Sequence, residues 1–507
     1  MRNDLLIFVG VFLLATGLFF HLRGEYKKAI ISLFLAAVSF RIFAIYLDPF
    51  LHDWDEKFHA LVAKHLINDP FTPILRPQSI LPNNGIDWCC SNIWIHKQPL
   101  FLWQMALSMK IFGVNEFVMR YPSMLLGSLM VPITYRISNL LTNNKDISFS
   151  AAALLCVSYY SLDLISGRMG MEHNDVAFCF YILASIWAYL EFLREKSWKC
   201  AILIGVFAGC AILNKWLTGL LVYAGWSINL LMDIKEKDLK SQIQKLLVSL
   251  TVCAVIFLPW QFYINYRFPE QAKFERTFNL KHITEAVEGH NGGYDYYYNL
   301  LSGYLGEYVW VLFLAGFVIL VFSKKLNRKA AIALTTIIIV PVVFFSFIVK
   351  TKMPSFVFIL APFAFICIAI AVYSITTIKL KTRIPYWLAI CLCLVPVFNY
   401  EKLQQQFNND DTYRSRKIYN TTVFKHLNKN LPKNIPVIMN TKDFEDVEVM
   451  FYVDNVICYN YSISESDMSI LSNKGINIAV FKDRWGCIAE NYVKNYKYKY
   501  LIPYQLH

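Results

Sequence analysis

The chain has 507 residues, 56% hydrophobic and 16% aromatic, with only 17% charged and a formal net charge of +13. That balance excludes an ordinary soluble domain, whose charged share is about 25%, and indicates a polytopic membrane protein. The positive excess does not imply nucleic acid, because the basic residues fall mostly in short loops between apolar runs and so read as topology.

Apolar runs of roughly 16 to 24 residues, long enough as helices to cross ~30 Å of hydrocarbon, lie near 5–21, 29–47, 118–141, 148–165, 174–193 and 199–213. Others follow near 217–232, 246–264, 303–322, 330–349, 355–377 and 384–399, which makes about twelve spans. The first run resembles the core of a signal peptide, but no small-x-small cleavage site follows it, so a retained anchor is expected. Alternate loops hold Arg23, Lys27 and Lys28; Lys145; Arg194, Lys196 and Lys199; Lys235, Lys237, Lys240 and Lys245; Lys324, Lys325, Arg328 and Lys329; and Lys379, Lys381 and Arg383. By the positive-inside rule these loops are cytoplasmic. Segments 48–117, 166–173, 214–216, 265–302, 350–354 and everything after about 400 are then outside.

The first outer loop opens with "LHDWDEKFHALVAKHL". Asp53 and Glu56 have capping-box spacing, and Trp54, Phe58, Leu61, Val62 and His65 recur at helical intervals, so a helix is expected from Asp53. Asp55 then lies in its first turn, where free amides and the helix dipole favour an ionised carboxylate. Further along this loop, 99–112 is amphipathic and short, as expected of a segment lying along the interface. The tail, 401–507, alternates short β-like runs such as "IPVIMN" and "INIAVF" with helix-compatible stretches, predicting a small α/β domain on the outer face. Eight of the twelve cysteines lie in apolar runs as small hydrophobes; Cys458 and Cys487 in the tail either pair or stay free. His52, His59, His96 and His173 lack zinc-ligand spacing, so no metal site is expected.

The Asp-Glu pair after an early span, the Lys-x-Pro in "NIWIHKQPLFLW" and "FGVNEFVMRYPS" resemble bacterial members of the dolichyl-phosphate-mannose protein mannosyltransferase superfamily. That group includes the aminoarabinose transferase acting on lipid A. The resemblance continues in order through "SGRMGMEHNDVAFCFYILA", "GVFAGCAILNKWLTGLLV", "LPWQFYINYRFP", "EGHNGGYDYYYNLL" and "FSFIVKTKMPSFVFILAPF". Two departures stand out. His96-Lys97-Gln98-Pro99 replaces the Glu-Lys-Pro-Pro of many members, so no role for that glutamate carries over, and the span 5–20 is extra.

The resemblance implies an α-helical polytopic protein of the GT-C type, with a transmembrane glycosyltransferase domain over 1–400 and a C-terminal extracytoplasmic α/β domain over 401–507. It implies an inverting transfer of a hexose or pentose from a polyprenyl-phosphate sugar to a lipid A, protein or envelope-glycan hydroxyl, outside a bacterial inner membrane. Asp55 is the expected base, with Glu56 beside it; Glu172 or Asp175 is the second acid, and the register leaves both open. Lys350 and Lys352 run against the positive-inside trend and suit a lipid phosphate; Lys215, Arg168, Lys97 and His290 are the further candidates to hold it. No cofactor is required, with a divalent ion at the second acid the alternative. Membrane lipids are the other expected partner, and a transporter or lipid flippase is the competing class.

Overall fold

In hydrocarbon an apolar segment has to satisfy its own backbone, and a helix does so without neighbours. The computed structural model describes residues 4–506 apart from 78–79, 82–85, 90, 169–172, 216, 236–237, 380–382, 406–411, 442–443, 460–462, 482–495, 498 and 505. Among the described residues nine helices are long and apolar enough to span a membrane: Asp4–Leu22, Tyr26–Ile45, Glu116–Thr142, Lys145–Ser166, His173–Glu195, Leu239–Arg267, Arg328–Ile348, Pro354–Thr377 and Ile384–Gln405. Shorter apolar helices, Trp198–Asn214, Leu217–Met232 and Val309–Phe322, occupy the remaining apolar runs.

Lys145–Ser166 forms the centre of the bundle, buried throughout its length, whereas Asp4–Leu22, Leu239–Arg267 and Ile384–Gln405 lie at the periphery. The central helix breaks at Ser158. The fully buried Arg41 guanidinium donates to the carbonyls of Cys156 and Leu155 just before the break, at 3.2 and 3.4 Å. The Gly-rich run on Trp198–Asn214 also has a packing reason. A Cβ at Gly209 would lie 2.9 Å from the Cys253 carbonyl oxygen, so small residues let this helix approach Leu239–Arg267 backbone to backbone.

The loops sort to two ends. At one, His21 meets Asp146 at 2.8 Å, Lys196 meets Asp238 at 3.1 Å and Lys329 meets Asp233 at 2.6 Å. This is the end that the alternation of lysines and arginines assigns to the cytoplasm. At the other end lie the helices Asp55–Leu66, Pro99–Phe112 and Pro269–Thr284, together with the tail. Pro99–Phe112 has 14 residues, too few to cross the bilayer, and starts with proline at its first position.

The tail contains the helices Thr412–Asn430, Glu445–Tyr452 and Glu465–Asn473 and the strands β1 (Val437–Met439), β2 (Ile457–Cys458), β3 (Ile478–Phe481) and β4 (Lys499–Ile502). The strands are parallel in the order β2-β1-β3-β4, with Val437 opposite Ile457 and Ile478, and Ile478 opposite Lys499. β1 and β3 are buried at every residue, as a parallel sheet covered on both faces requires. Cys458 is buried against the Thr441 hydroxyl; Cys487 lies outside the described residues.

Charge fastens the tail to the first outer loop. Arg76 donates to Asp446 through Nε at 3.2 Å and Nη2 at 2.5 Å, with both side chains buried. Lys64 reaches the Met450 and Phe451 carbonyls at the C-terminal end of Glu445–Tyr452 at 3.1 and 2.8 Å, where the helix dipole favours a cation. Arg414 pairs with Asp48, and Lys425 with Glu116 at 2.6 Å. Asp446→Asn leaves the Arg76 charge buried without its counter-ion; the expected loss is ~3 kcal/mol, and limited proteolysis of the detergent-solubilised protein should then release the tail faster than in wild type.

Candidate functional site

The outer helix starts later than its sequence pattern predicts. Its first residue is Asp55, and its N-cap is Trp54, which makes no side-chain capping bond. Asp53 does not cap it, because its carboxylate is held by the Lys57 ammonium at 2.7 Å. Glu56 does not complete a capping box either: its carboxylate turns into the protein and accepts the His52 N–H at 2.5 Å.

Glu56 sits at the centre of the outer end, with no exposure. Arg120 donates to it through Nε at 2.7 Å and Nη2 at 3.2 Å, and His173 Nε2 lies 2.9 Å away. The same guanidinium donates to the carbonyls of Ile45, Asp48 and Phe50 at 3.1, 2.8 and 2.7 Å, where Tyr26–Ile45 ends and the outer loop begins. All five of its N–H donors are thus used. Gly167 closes against the carboxylate at φ +87°, and a Cβ there would collide with Glu56 Oε1, so both backbone angle and space demand glycine. Burial alone would raise the Glu56 pKa, but Arg120 and His173 outweigh it and hold the carboxyl well below its usual range. Glu56, expected beside Asp55 among the catalytic acids, is thus fully engaged within the protein.

Asp55, its neighbour, points elsewhere. Its carboxylate pairs with Lys97 at 2.8 Å and keeps some exposure. Burial pushes its pKa up; Lys97, with His59 and His96 nearby, pulls it down further, to about 2. His96 in turn pairs with Glu275 of Pro269–Thr284 at 3.0 Å, and Gln98 accepts from Gln261 of the membrane helix Leu239–Arg267 at 2.8 Å, so the Lys97 segment is tied on one side to the later outer loop and on the other to the span that leads into it.

Asp175 lies in the first turn of His173–Glu195, buried and paired with Lys215 at the end of Trp198–Asn214. Glu172, the other candidate second acid, lies outside the described residues. His173 links the two acidic segments, because it contacts Glu56 and stands two residues before Asp175. Two carboxylate–lysine pairs, Asp55–Lys97 and Asp175–Lys215, thus adjoin in sequence the residues of one buried ionic knot, Asp55 next to Glu56 and Asp175 two residues after His173.

The remaining cations divide. Lys350 is exposed, and its backbone N–H donates to the Ile283 carbonyl at 3.1 Å. Arg168 is part-exposed with its Nε 3.9 Å from Asp163. Lys352, grouped with Lys350 by its sequence setting, is a correction: it is buried, and its ammonium donates to the carbonyls of Phe345, Ser346 at 2.8 Å and Val349 at 2.7 Å. The π-helical turn Phe344–Ile348 leaves those oxygens without helical donors, and a lysine that satisfies three of them has no proton left for a phosphate. Its backbone N–H donates to the carbonyl of the part-exposed His290 at 2.9 Å, which ties 290 to the 350–352 turn.

Sequence reasoning missed Arg120 and His173. Arg120 stood inside "FGVNEFVMRYPS" at the start of a span, where an arginine that is not cytoplasmic is a signal in itself. His173 was weighed only as a metal ligand. Among the described residues no three His, Cys, Asp or Glu side chains gather as a metal site.

Arg120→Met buries Glu56 without its counter-ion, so the expected loss is ~3–5 kcal/mol, read as a lower thermal unfolding midpoint, and Arg120→Lys, with three donors for five acceptor contacts, should recover only part of it. Burial holds His52 and His59 down to about 3, so both are neutral in the folded protein at pH 7. Between about pH 6.5 and pH 3 the unfolded chain binds protons that the folded chain does not, so stability falls with pH by ~1.4 kcal/mol per unit per histidine. His59→Gln should flatten that slope in unfolding measured from pH 7 to pH 4.

Residues 96–263 match the family model described as dolichyl-phosphate-mannose-protein mannosyltransferase. The undecaprenyl phosphate-alpha-4-amino-4-deoxy-L-arabinose arabinosyl transferase 1 of Pseudomonas fluorescens is 28% identical over 266 residues, 50% of this chain and 44% of that protein. The corresponding Yersinia pestis transferase is 24% identical over 288 residues, 55% of this chain and 50% of its own. The matched stretches thus span about half the length of these relatives. Among solved structures, ArnT from Cupriavidus metallidurans bound to undecaprenyl phosphate superposes with a TM-score of 0.62 at 15% identity, covering 88% of this chain and 89% of that one. The archaeal oligosaccharyltransferase AglB from Archaeoglobus fulgidus superposes with a TM-score of 0.56 at 12% identity, covering 89% and 69%. The chain is an integral membrane protein of the GT-C fold, similar to the bacterial aminoarabinose transferases.

Proposed function

We propose that the chain is an inverting glycosyltransferase that moves a sugar from a polyprenyl-phosphate donor to an acceptor hydroxyl, at the periplasmic face of a bacterial inner membrane. The observation that carries this reading is the pair Asp55–Lys97, a sheltered carboxylate held ionised by a lysine with residual exposure. Lipid A, a protein or an envelope glycan supplies the hydroxyl. The arabinosyl transferases among the relatives make undecaprenyl-phosphate aminoarabinose the first donor to try.

In this scheme Lys97 exchanges Asp55 for the donor phosphate. Released from its cation, the buried carboxylate becomes more basic, because burial alone pushes its pKa up. Asp55 then accepts the acceptor's hydroxyl proton while that oxygen bonds to the anomeric carbon. The bond from that carbon to the phosphate oxygen breaks on the opposite face, its electron pair leaves with the polyprenyl phosphate, and the centre inverts. Lys97, Lys350, Arg168 and Lys215 supply cations to that phosphate, with His290 as a further donor. Asp175 orients the acceptor once Lys215 turns to the phosphate. A divalent ion at Asp175 is the alternative to that lysine, and transfer assayed with and without a chelator separates the two.

The transporter reading fares less well. Coupled transport through a bundle calls for charges near mid-span, whereas Asp55–Lys97 and Asp175–Lys215 both lie at the outer end.

Asp55→Asn should lower transfer of radiolabelled sugar ~10²- to 10⁴-fold while undecaprenyl phosphate still binds. Lys97→Met removes the cation that depresses the Asp55 pKa, so the acidic limb of its residual pH–rate profile should move to higher pH. Equal activity in wild type and Asp55→Asn overturns the assignment of the base.

A further inference from the structure

The turn that presents Asp55 is weakly held by its own segment. Trp54, immediately before it, has φ +65° and ψ −135°, a conformation strained for any residue with a Cβ, and it offers the helix no side-chain cap. A turn of this kind persists only when its surroundings fix it. Here part of the surroundings is the Glu56–Arg120 pair, and the rest comes from the tail, far away in sequence.

Phe444 packs its ring, tilted or edge-on, among those of Trp54, Phe58 and Trp88, with centroids 6.0, 5.5 and 5.8 Å away. The Tyr413 hydroxyl accepts the Asp53 N–H at 3.3 Å. Lys57, buried two residues after Asp55, lies 2.7 Å from the Asp53 carboxylate and 3.9 Å from that of Glu448. Lys417 pairs with the other Glu448 oxygen and lies 3.5 Å from Asp53. Two acids and two lysines thus alternate around one node, with Lys57, Lys417 and Glu448 all buried. Residues two apart on a helix face different ways. The tail therefore grips Asp53 and Lys57 from one side while Asp55 meets Lys97 on the other.

We infer that Glu448 and Lys417 are positioning residues for the outer site: acting through Lys57 and Asp53, they fix the turn that aims the Asp55 carboxylate, so the tail is a working part of the transferase. The inference rests on Asp55 being the base. It gives the α/β tail a role that does not depend on which acceptor is used.

The test uses the full-length protein in nanodiscs, comparing wild type, Glu448→Gln, Lys57→Met and Lys57→Arg. Transfer from undecaprenyl-phosphate aminoarabinose gives kcat and KM, and amide hydrogen exchange reports residues 53–58. Glu448→Gln and Lys57→Met should each lower kcat ~10- to 100-fold with donor KM changed less than about twofold, since small misplacement of a reacting group costs that much. Lys57→Arg, which keeps the charge, should recover most of the rate. Exchange should quicken at 53–58 and stay unchanged in Lys145–Ser166. Wild-type kcat in both charge-removing variants, or wild-type protection at 53–58, overturns the inference. If Glu448→Gln does not fold, Lys57→Met, which leaves the tail's sequence intact, decides. A wild type that transfers from no donor defeats the proposed function instead, and the exchange arm still decides the positioning.

Discussion

The outer end of this protein depends on one buried ion pair, Glu56 with Arg120. A carboxylate with no exposure is costly unless its charge is balanced and its lone pairs are used. Here one guanidinium supplies the counter-charge and also satisfies three carbonyls where the second membrane helix ends. The fit is geometric as well as electrostatic, because a planar fork of five donors can serve the carboxylate and the chain turn together, and a lysine's point charge cannot. His173 completes the knot, and Gly167 admits the carboxylate because it has no Cβ. Through these contacts the ends of four apolar helices and the first outer loop come to lie at fixed distances.

That knot explains why two adjacent acids have different fates. Asp55 and Glu56 are neighbours on a helix, so their side chains diverge by about 100°. The one turned inward becomes structural, and the one turned toward Lys97 remains sheltered, ionised and within reach of a ligand. A parallel division separates Lys350 from Lys352. The distorted end of a membrane helix exposes carbonyls, one lysine turns back to cover them, and the other is left exposed. In both cases one of two neighbouring charges is fully occupied inside the protein, while the other keeps some exposure, Asp55 paired with Lys97 and Lys350 at the surface.

The membrane class, the positions of the apolar helices and the mixture of short strands and helices in the tail were legible in the sequence; the parallel order of those strands was not. Each legible feature rests on local information: long apolar runs and short β-branched stretches. Asp55 stood out in the sequence as the acid not needed by a helix cap, and the structure pairs it with Lys97. The cap itself was misread. Asp53 and Glu56 have the right spacing, but Lys57, one helical turn on, and Arg120, brought in by folding, are stronger partners than a backbone amide.

The sequence by itself determined that this chain crosses a membrane repeatedly and carries acids and cations in the loops between its spans, because hydropathy and charge act residue by residue. Which of those charges meet was decided only by the tertiary structure. Glu56 finds Arg120, Asp175 finds Lys215, and Lys57 finds Glu448 across separations of 64, 40 and 391 residues (120 − 56, 215 − 175, 448 − 57). No local pattern encodes such pairings, since they depend on helix packing and on the desolvation that makes an unpaired charge too costly to bury.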